Sequence, residues 1–188
     1  MPTKKRIVVA ITGASGALYA QRLIEKLMAF SEHISEIALI VSETGKQVWQ
    51  YELETPLPKS SIITQYENDC FFAPTASGSA GYNAMVVIPC TTGTLGRIAS
   101  GTSNDLIARS ADVMLKERKP LVLVVRESPY NLIHIENMRA VTLAGGIILP
   151  ASPSFYSKPT DINGVIDTVV DRVITAIGFE AGGYKWEG

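Results

Sequence analysis

Arg6-Ile-Val-Val-Ala-Ile-Thr12 runs directly into Gly13-Ala-Ser-Gly-Ala17 and on into Leu18-Tyr-Ala-Gln-Arg-Leu-Ile-Glu-Lys-Leu27, and this stretch decides the fold. A β-branched run without polar alternation reads as a strand buried on both faces, and such strands belong to parallel sheets covered by helices. Gly13 and Gly16 then permit a sharp turn, after which a helix opens with its free N–H groups and positive dipole end pointing out of the turn. That arrangement suits an anion, and Ser15 adds a hydroxyl able to cap the helix, touch a phosphate or meet a reacting group. The stretch lacks the full G-x-G-x-x-G spacing of a dinucleotide fingerprint, so a turn kept only for close strand–helix packing stays open beside the functional reading.

The same strand–turn–helix grammar continues downstream. Ile37 to Val41 reads as a second buried strand, with Ser42 at its carboxyl end as either a ligand contact or a helix N-cap, and a helix follows near Thr44 to Tyr51. Glu54 to Tyr66, with Pro56 and Pro58, reads as an irregular connection. A third strand, Ala84 to Ile88, leads into Pro89-Cys90-Thr91-Thr92-Gly93-Thr94 and a helix from Leu95 to Ser100, a second hydroxyl-rich helix opening at a strand's carboxyl end. Two such openings on one sheet are able to converge on the crevice where the strand order reverses.

Gly101 to Asp105 caps a helix from Leu106 to Arg118, whose Arg109 and Lys116 lie seven apart on one face; a solvated basic stripe is the plainer reading of that pair. Leu121 to Val125 reads as a fourth buried strand with Arg126 and Glu127 at its carboxyl end, where charges face a ligand crevice or pair with each other. A helix from Asn131 to Leu143 carries His134 as a half-buried packing residue, and Gly145 to Leu149 makes a short fifth strand. The proline-stiffened loop Pro150 to Pro159 presents Phe155 and Tyr156. A last helix from Ile162 to Ile177 includes Arg172, and Tyr184-Lys-Trp186 sits in a glycine-rich tail suited to touching a neighbouring subunit.

The expected architecture is therefore α/β: a three-layer Rossmann-like (flavodoxin-like) fold with a mainly parallel sheet flanked by helices. At 188 residues the chain suits one domain, residues 1–188, with 178–188 as its tail. Hydrophobic content of 46% against 19% charged residues suits packing into an oligomer, and a net charge of −1 gives no sign of nucleic acid. Two cysteines and two histidines without zinc-ligand spacing point to no metal. The first apolar run is too short for a signal peptide, and no stretch approaches the roughly twenty residues of a membrane span, so a cytoplasmic protein without membrane contact is expected.

The ordered set Gly13-Ala-Ser-Gly-Ala17, Ala76-Ser-Gly-Ser79, Pro89-Cys90-Thr91, Asn104 to Asp112, Leu115-Lys-Glu-Arg118, Arg126-Glu127, Asn137-Met138 and Pro153-Ser-Phe-Tyr156 resembles the flavin prenyltransferases, the UbiX family, from about Lys5 to Arg172. The resemblance implies a dodecamer of trimers with its active sites between subunits. It implies a metal-independent reaction that joins a dimethylallyl group from dimethylallyl monophosphate to N5 and C6 of reduced FMN, the product going to a UbiD-type decarboxylase. It sets FMN against Gly13, Ala14, Ser15, Ser42, Thr91, Thr92, Gly93, Thr94 and Arg126, and the prenyl phosphate against Tyr156 and Arg172 with Lys116 and Arg109 nearby. Glu127 is then available for proton transfer, Ser15 sits between flavin and phosphate to relay a proton or orient the donor, and Phe71 or Phe72 joins Tyr156 in presenting an aromatic face to the allyl cation. Thr91 to Thr94 and Ser42-Glu43 lack the lysines that family members commonly carry there, which leaves monophosphate against diphosphate open.

Other readings fit less well. A flavin-dependent cysteine decarboxylase needs a histidine after the second strand and a Pro-x-Met-Asn clamp, whereas His33 precedes that strand and Asn137-Met138 runs in reverse order. A short-chain dehydrogenase needs Tyr-x-x-x-Lys, and no tyrosine here has a lysine four residues on. A non-catalytic flavin-binding subunit of a decarboxylase has no need of the Arg126, Tyr156 and Arg172 set.

Overall fold

The computed structural model describes residues 4–183, so the expected tail contacts of Tyr184 and Trp186 lie outside the described residues. Strands β1 (Lys5–Ile11), β2 (Ile34–Val41), β3 (Ile63–Glu67), β4 (Ala84–Cys90), β5 (Leu121–Val125) and β6 (Ile147–Ile148) form one sheet in the order β3-β2-β1-β4-β5-β6. All its pairings are parallel. That is the doubly wound order whose reversal falls between β1 and β4, and the ligand crevice of such sheets opens at the carboxyl ends of those two strands.

Side-chain alternation divides the strands between two cores. Ile7, Val9 and Ile11 of β1, with Leu39, Val86 and Val124, face helices α1 (Ala17–Ala29) and α6 (Ile162–Ala176) and Trp49 of α2 (Glu43–Leu53). Val8 and Ala10, with Ile40, Met85, Val87 and Leu123, face α3 (Thr92–Ala99), α4 (Leu106–Lys116) and Val141 of α5 (Leu132–Leu143). The helices dock because their apolar positions recur every three or four residues, as at Ala17, Ala20, Leu23, Ile24 and Leu27 of α1 and at Ile166, Val169, Val170, Val173 and Ile174 of α6. Full burial of each large aliphatic side chain contributes about 1.5–3 kcal/mol.

Two departures from the sequence reading have physical causes. The connection over residues 54–66 ends in a strand, β3, which pairs with β2 alone; as an edge strand it leaves most of its side chains open to solvent and carries no apolar run to betray it. Strand β4 continues past Ile88 through Pro89 to Cys90, and its register against β5 shifts between Val87 and Cys90, where the proline has no N–H to give the ladder. Beyond α6, Phe179 is nearly buried, stacks on Phe30 and lies under Lys5, so the first residues of the tail pack on their own chain.

Candidate active site at the switch point

Thr12 staples the sheet where its order reverses. Its N–H and hydroxyl both donate to Pro89 O, at 3.3 and 2.7 Å, and its hydroxyl oxygen accepts the Thr91 N–H at 2.9 Å. Gly13 follows, with Thr44 packed so close that a Cβ at Gly13 would stand 2.5 Å from Thr44 Oγ1. Gly16, at φ 113°, turns the chain in the left-handed region before α1 begins.

The N-terminus of α1 holds an anion from within the chain. Glu52 of α2 reaches over and accepts the Gly16 N–H at 2.9 and 3.1 Å and the Ala17 N–H at 2.7 Å. Partial burial of this carboxyl disfavours its charge, but the Ser15 hydroxyl, these two N–H groups and the Arg126 cation outweigh that and hold it below the usual glutamate range. Arg126 Nε donates to Ser15 O at 3.0 Å while its backbone N–H donates to Cys90 O at 3.2 Å. Ser15, Glu52 and Arg126 thus form one cluster tied to the ends of β1, β4 and β5.

At the second turn Thr91 caps α3, accepting the Thr94 N–H at 3.1 Å. The N–H groups of Thr92 and Gly93, in the helix's first turn, have no intrahelical acceptor. Ser42 caps α2 by accepting the Gly45 N–H at 3.0 Å, which is the capping alternative of the sequence reading.

Next to Arg126, Ala151 N–H donates to Val125 O at 2.9 Å and so brings the 150–159 loop alongside the crevice. That loop and α6 enclose a cavity of about 800 Å³ lined by Tyr156, Arg172, Ser152, Ser154, Ser157 and Thr168 among others. Two acids also line it, Asp167 and Asp171, but both are answered: Asp167 by Arg22 at 2.8 Å and Asp171 by Lys26 at 2.5 Å. Arg172 has no ion-pair partner among the described residues.

The sequence model of the Flavoprotein family matches residues 1–178. The "Flavin prenyltransferase UbiX" of Methanocaldococcus jannaschii is 43% identical over 182 residues, covering 96% of this chain and 97% of that protein. The chain belongs to the UbiX flavin prenyltransferase family. Among solved structures, one described as AnUbiX (PadA1) in complex with FMN and dimethylallyl pyrophosphate superposes with a TM-score of 0.91 at 38% identity, covering 99% of both chains. A dodecameric FMN-dependent UbiX-like decarboxylase from Escherichia coli O157:H7 superposes with a TM-score of 0.89 at 34% identity, covering 97% of this chain and all of that one.

In this UbiX-family chain the residues expected at the site fall into two sets. Gly13, Ala14, Ser15, Thr91 to Thr94 and Arg126 surround the switch point, Ser42 caps the helix beside them, and Tyr156 and Arg172 share the adjoining cavity. Lys116 precedes the amino end of β5 whereas Arg126 follows its carboxyl end, so one chain sets them at opposite ends of that strand. Lys116 Nζ is instead paired with Glu117 at 2.5 Å, and Arg109 with Asp112 at 2.6 Å and with Ala76 O at 3.2 Å. Phe71 and Phe72 are exposed, and Ala73 beside them packs into the core shared with α3 and α4. Glu127 and Arg126 do not pair: Glu127 accepts the Ser128 N–H at 3.0 Å. His134 is half-buried and closes the capping box of α5 with Asn131.

Two participants escaped the sequence reading. Glu52 sits in a polar helical stretch like any solvated glutamate, and only the fold of α2 against the start of α1 reveals its target. Thr12 at least carried a signal, a hydroxyl residue ending an otherwise apolar strand just before the glycine turn.

Proposed function

We propose that the chain is a flavin prenyltransferase that joins a dimethylallyl group from dimethylallyl phosphate to N5 and C6 of reduced FMN. The observation that carries the reading is the Ser15–Glu52–Arg126 cluster, set against the Tyr156–Arg172 cavity through the Val125–Ala151 hydrogen bond. The switch point suits FMN: Gly13 closes one wall without a side chain, α3 supplies unpaired N–H donors for an anion or carbonyl, and Arg126 supplies a cation. The reduced flavin, when bound, supplies the nucleophilic ring that accepts the prenyl group.

The protein's part is electrostatic and positional. Arg172 and the Tyr156 hydroxyl hold the departing phosphate, while serine hydroxyls of the same cavity complete its hydrogen bonds. Positive charge that develops on the allyl group as the phosphate leaves is favoured by aromatic faces, Tyr156 foremost. Ser15 stands between flavin and phosphate, and Glu52, kept ionised, is an acceptor for a proton passed through the Ser15 hydroxyl. Glu127 is the second candidate for proton transfer.

Lys116, which one chain sets before the amino end of β5, enters from a neighbouring subunit, and Arg109, held in its own chain by Asp112 and Ala76 O, is read the same way from the family resemblance. Assembly into a dodecamer fits the solvent-exposed Leu132, Ile133 and Leu143 of α5, each about 70% exposed. Delivery of the product to a UbiD-type decarboxylase and a cytoplasmic setting complete the reading; both cysteines, exposed Cys70 and buried Cys90, are free thiols, as a reducing compartment keeps them. The division of the site is tested by Arg172→Ala and Tyr156→Phe. Each is expected to cut prenyl transfer by about tenfold or more while FMN binding is retained; loss of FMN binding in either variant would overturn the division.

A further inference from the structure

Arg97, in the last turn of the short helix α3, is a cation whose side chain reaches back to the second turn and so far has no role. Its Nη2 donates to Thr94 Oγ1 at 3.0 Å and lies 3.5 Å from Oδ2 of Asp105, the N-cap of α4. Its Nε is buried without an acceptor among the described residues, so the two Nη2 contacts carry the guanidinium's polar bonding there. Guanidinium only donates, which makes Thr94 Oγ1 an acceptor towards it. Thr94 Oγ1 also accepts the Thr91 hydroxyl hydrogen at 3.0 Å, while Thr91 Oγ1 accepts the Thr94 N–H at 3.1 Å. The Thr91 hydrogen is therefore turned inward, and what the half-buried Thr91 hydroxyl has left to offer a ligand is a lone pair. The charge is felt at the same strand end: it opposes the burial that pushes the Cys90 thiol up to about 12.

We propose that Arg97 is a positioning residue for the flavin turn, holding Thr91 as a hydrogen-bond acceptor and setting a fixed positive charge behind the N-terminus of α3, so that the turn favours reduced over oxidised FMN. The inference rests on the FMN reading of this crevice. Reduced flavin carries an additional N–H and, when it loses its acidic proton, a negative charge; an acceptor serves the first and a nearby cation the second. Preference for the reduced form is, by linkage, a raised midpoint potential of the bound flavin.

The test is the pair of dissociation constants for FMN and anaerobically reduced FMN, measured on the wild-type protein and on Arg97→Ala. Reduced FMN is expected to lose about two- to fivefold more affinity than oxidised FMN, the size of a single charge acting at a helix terminus, and the midpoint potential of the bound flavin is expected to fall. Arg97→Met, which fills the space of the side chain's stem, gives the same split should the alanine variant not fold, and Arg97→Lys, which keeps the charge, narrows it. Equal losses for both forms, or no loss, would overturn the proposal and leave Arg97 a packing residue. A wild-type protein that binds neither form would fail the flavin reading itself and take this proposal with it, a result distinct from equal losses in the variants.

Discussion

Gly13 is required by packing against Thr44, whatever ligand the first turn also meets. A side chain would meet Thr44 Cβ at 2.6 Å, a contact with no freedom to yield. Gly13→Ala is expected to destabilise the protein by about 1–3 kcal/mol, and Thr44→Gly in the same chain to recover most of that in a denaturant titration. Glu52 shows the reverse: a residue with no sequence signal takes the anion seat that the motif offered to a phosphate. Its folded pKa is depressed, so its contribution to stability is present above the ordinary glutamate value of about 4.3 and is lost as pH falls through the folded one. The melting-temperature gap between wild type and Glu52→Gln should therefore be open at pH 7 and close on acidification below about pH 4; a gap that widened towards acid would contradict the assignment.

At the scale of elements, the strands that sequence revealed are those buried on both faces, because burial on both faces demands an unbroken apolar run. Leu121–Val125 was legible to the residue. Edge strand β3 was not, since pairing on one side leaves Thr64, Gln65 and Glu67 free to be polar. Helix α2 was legible by its capping serine but not by its purpose: Trp49 buries itself under the sheet and donates its indole N–H to Thr55 O at 2.8 Å, which anchors the helix that carries Glu52. Trp49→Ala is expected to cost about 3–5 kcal/mol in urea unfolding and to weaken the Ser15–Glu52 contact with it; a cost below 1 kcal/mol would mean that α2 is held by something else.

Across the whole molecule, the resemblance implies what local reading could not, namely that Lys116 and Arg126, at opposite ends of β5 in one chain, serve one site between subunits. Spacing puts Arg109 and Lys116 on one helical face but says nothing of the subunit they serve, and in the chain itself they are held by Asp112 and Glu117. Shared sites make a definite prediction. Ser15→Ala and Lys116→Ala chains, each inactive alone, should regain part of the activity when unfolded together and co-assembled, because some interfaces then pair two intact halves; no recovery in verified mixed oligomers would confine the site to one subunit.

Mass spectrometry of the flavin reads the proposed reaction directly. After anaerobic incubation of the wild-type protein with reduced FMN and dimethylallyl monophosphate, a flavin heavier by one five-carbon unit is expected. An FMN of unchanged mass, with dimethylallyl diphosphate tried in parallel and also without effect, would contradict it.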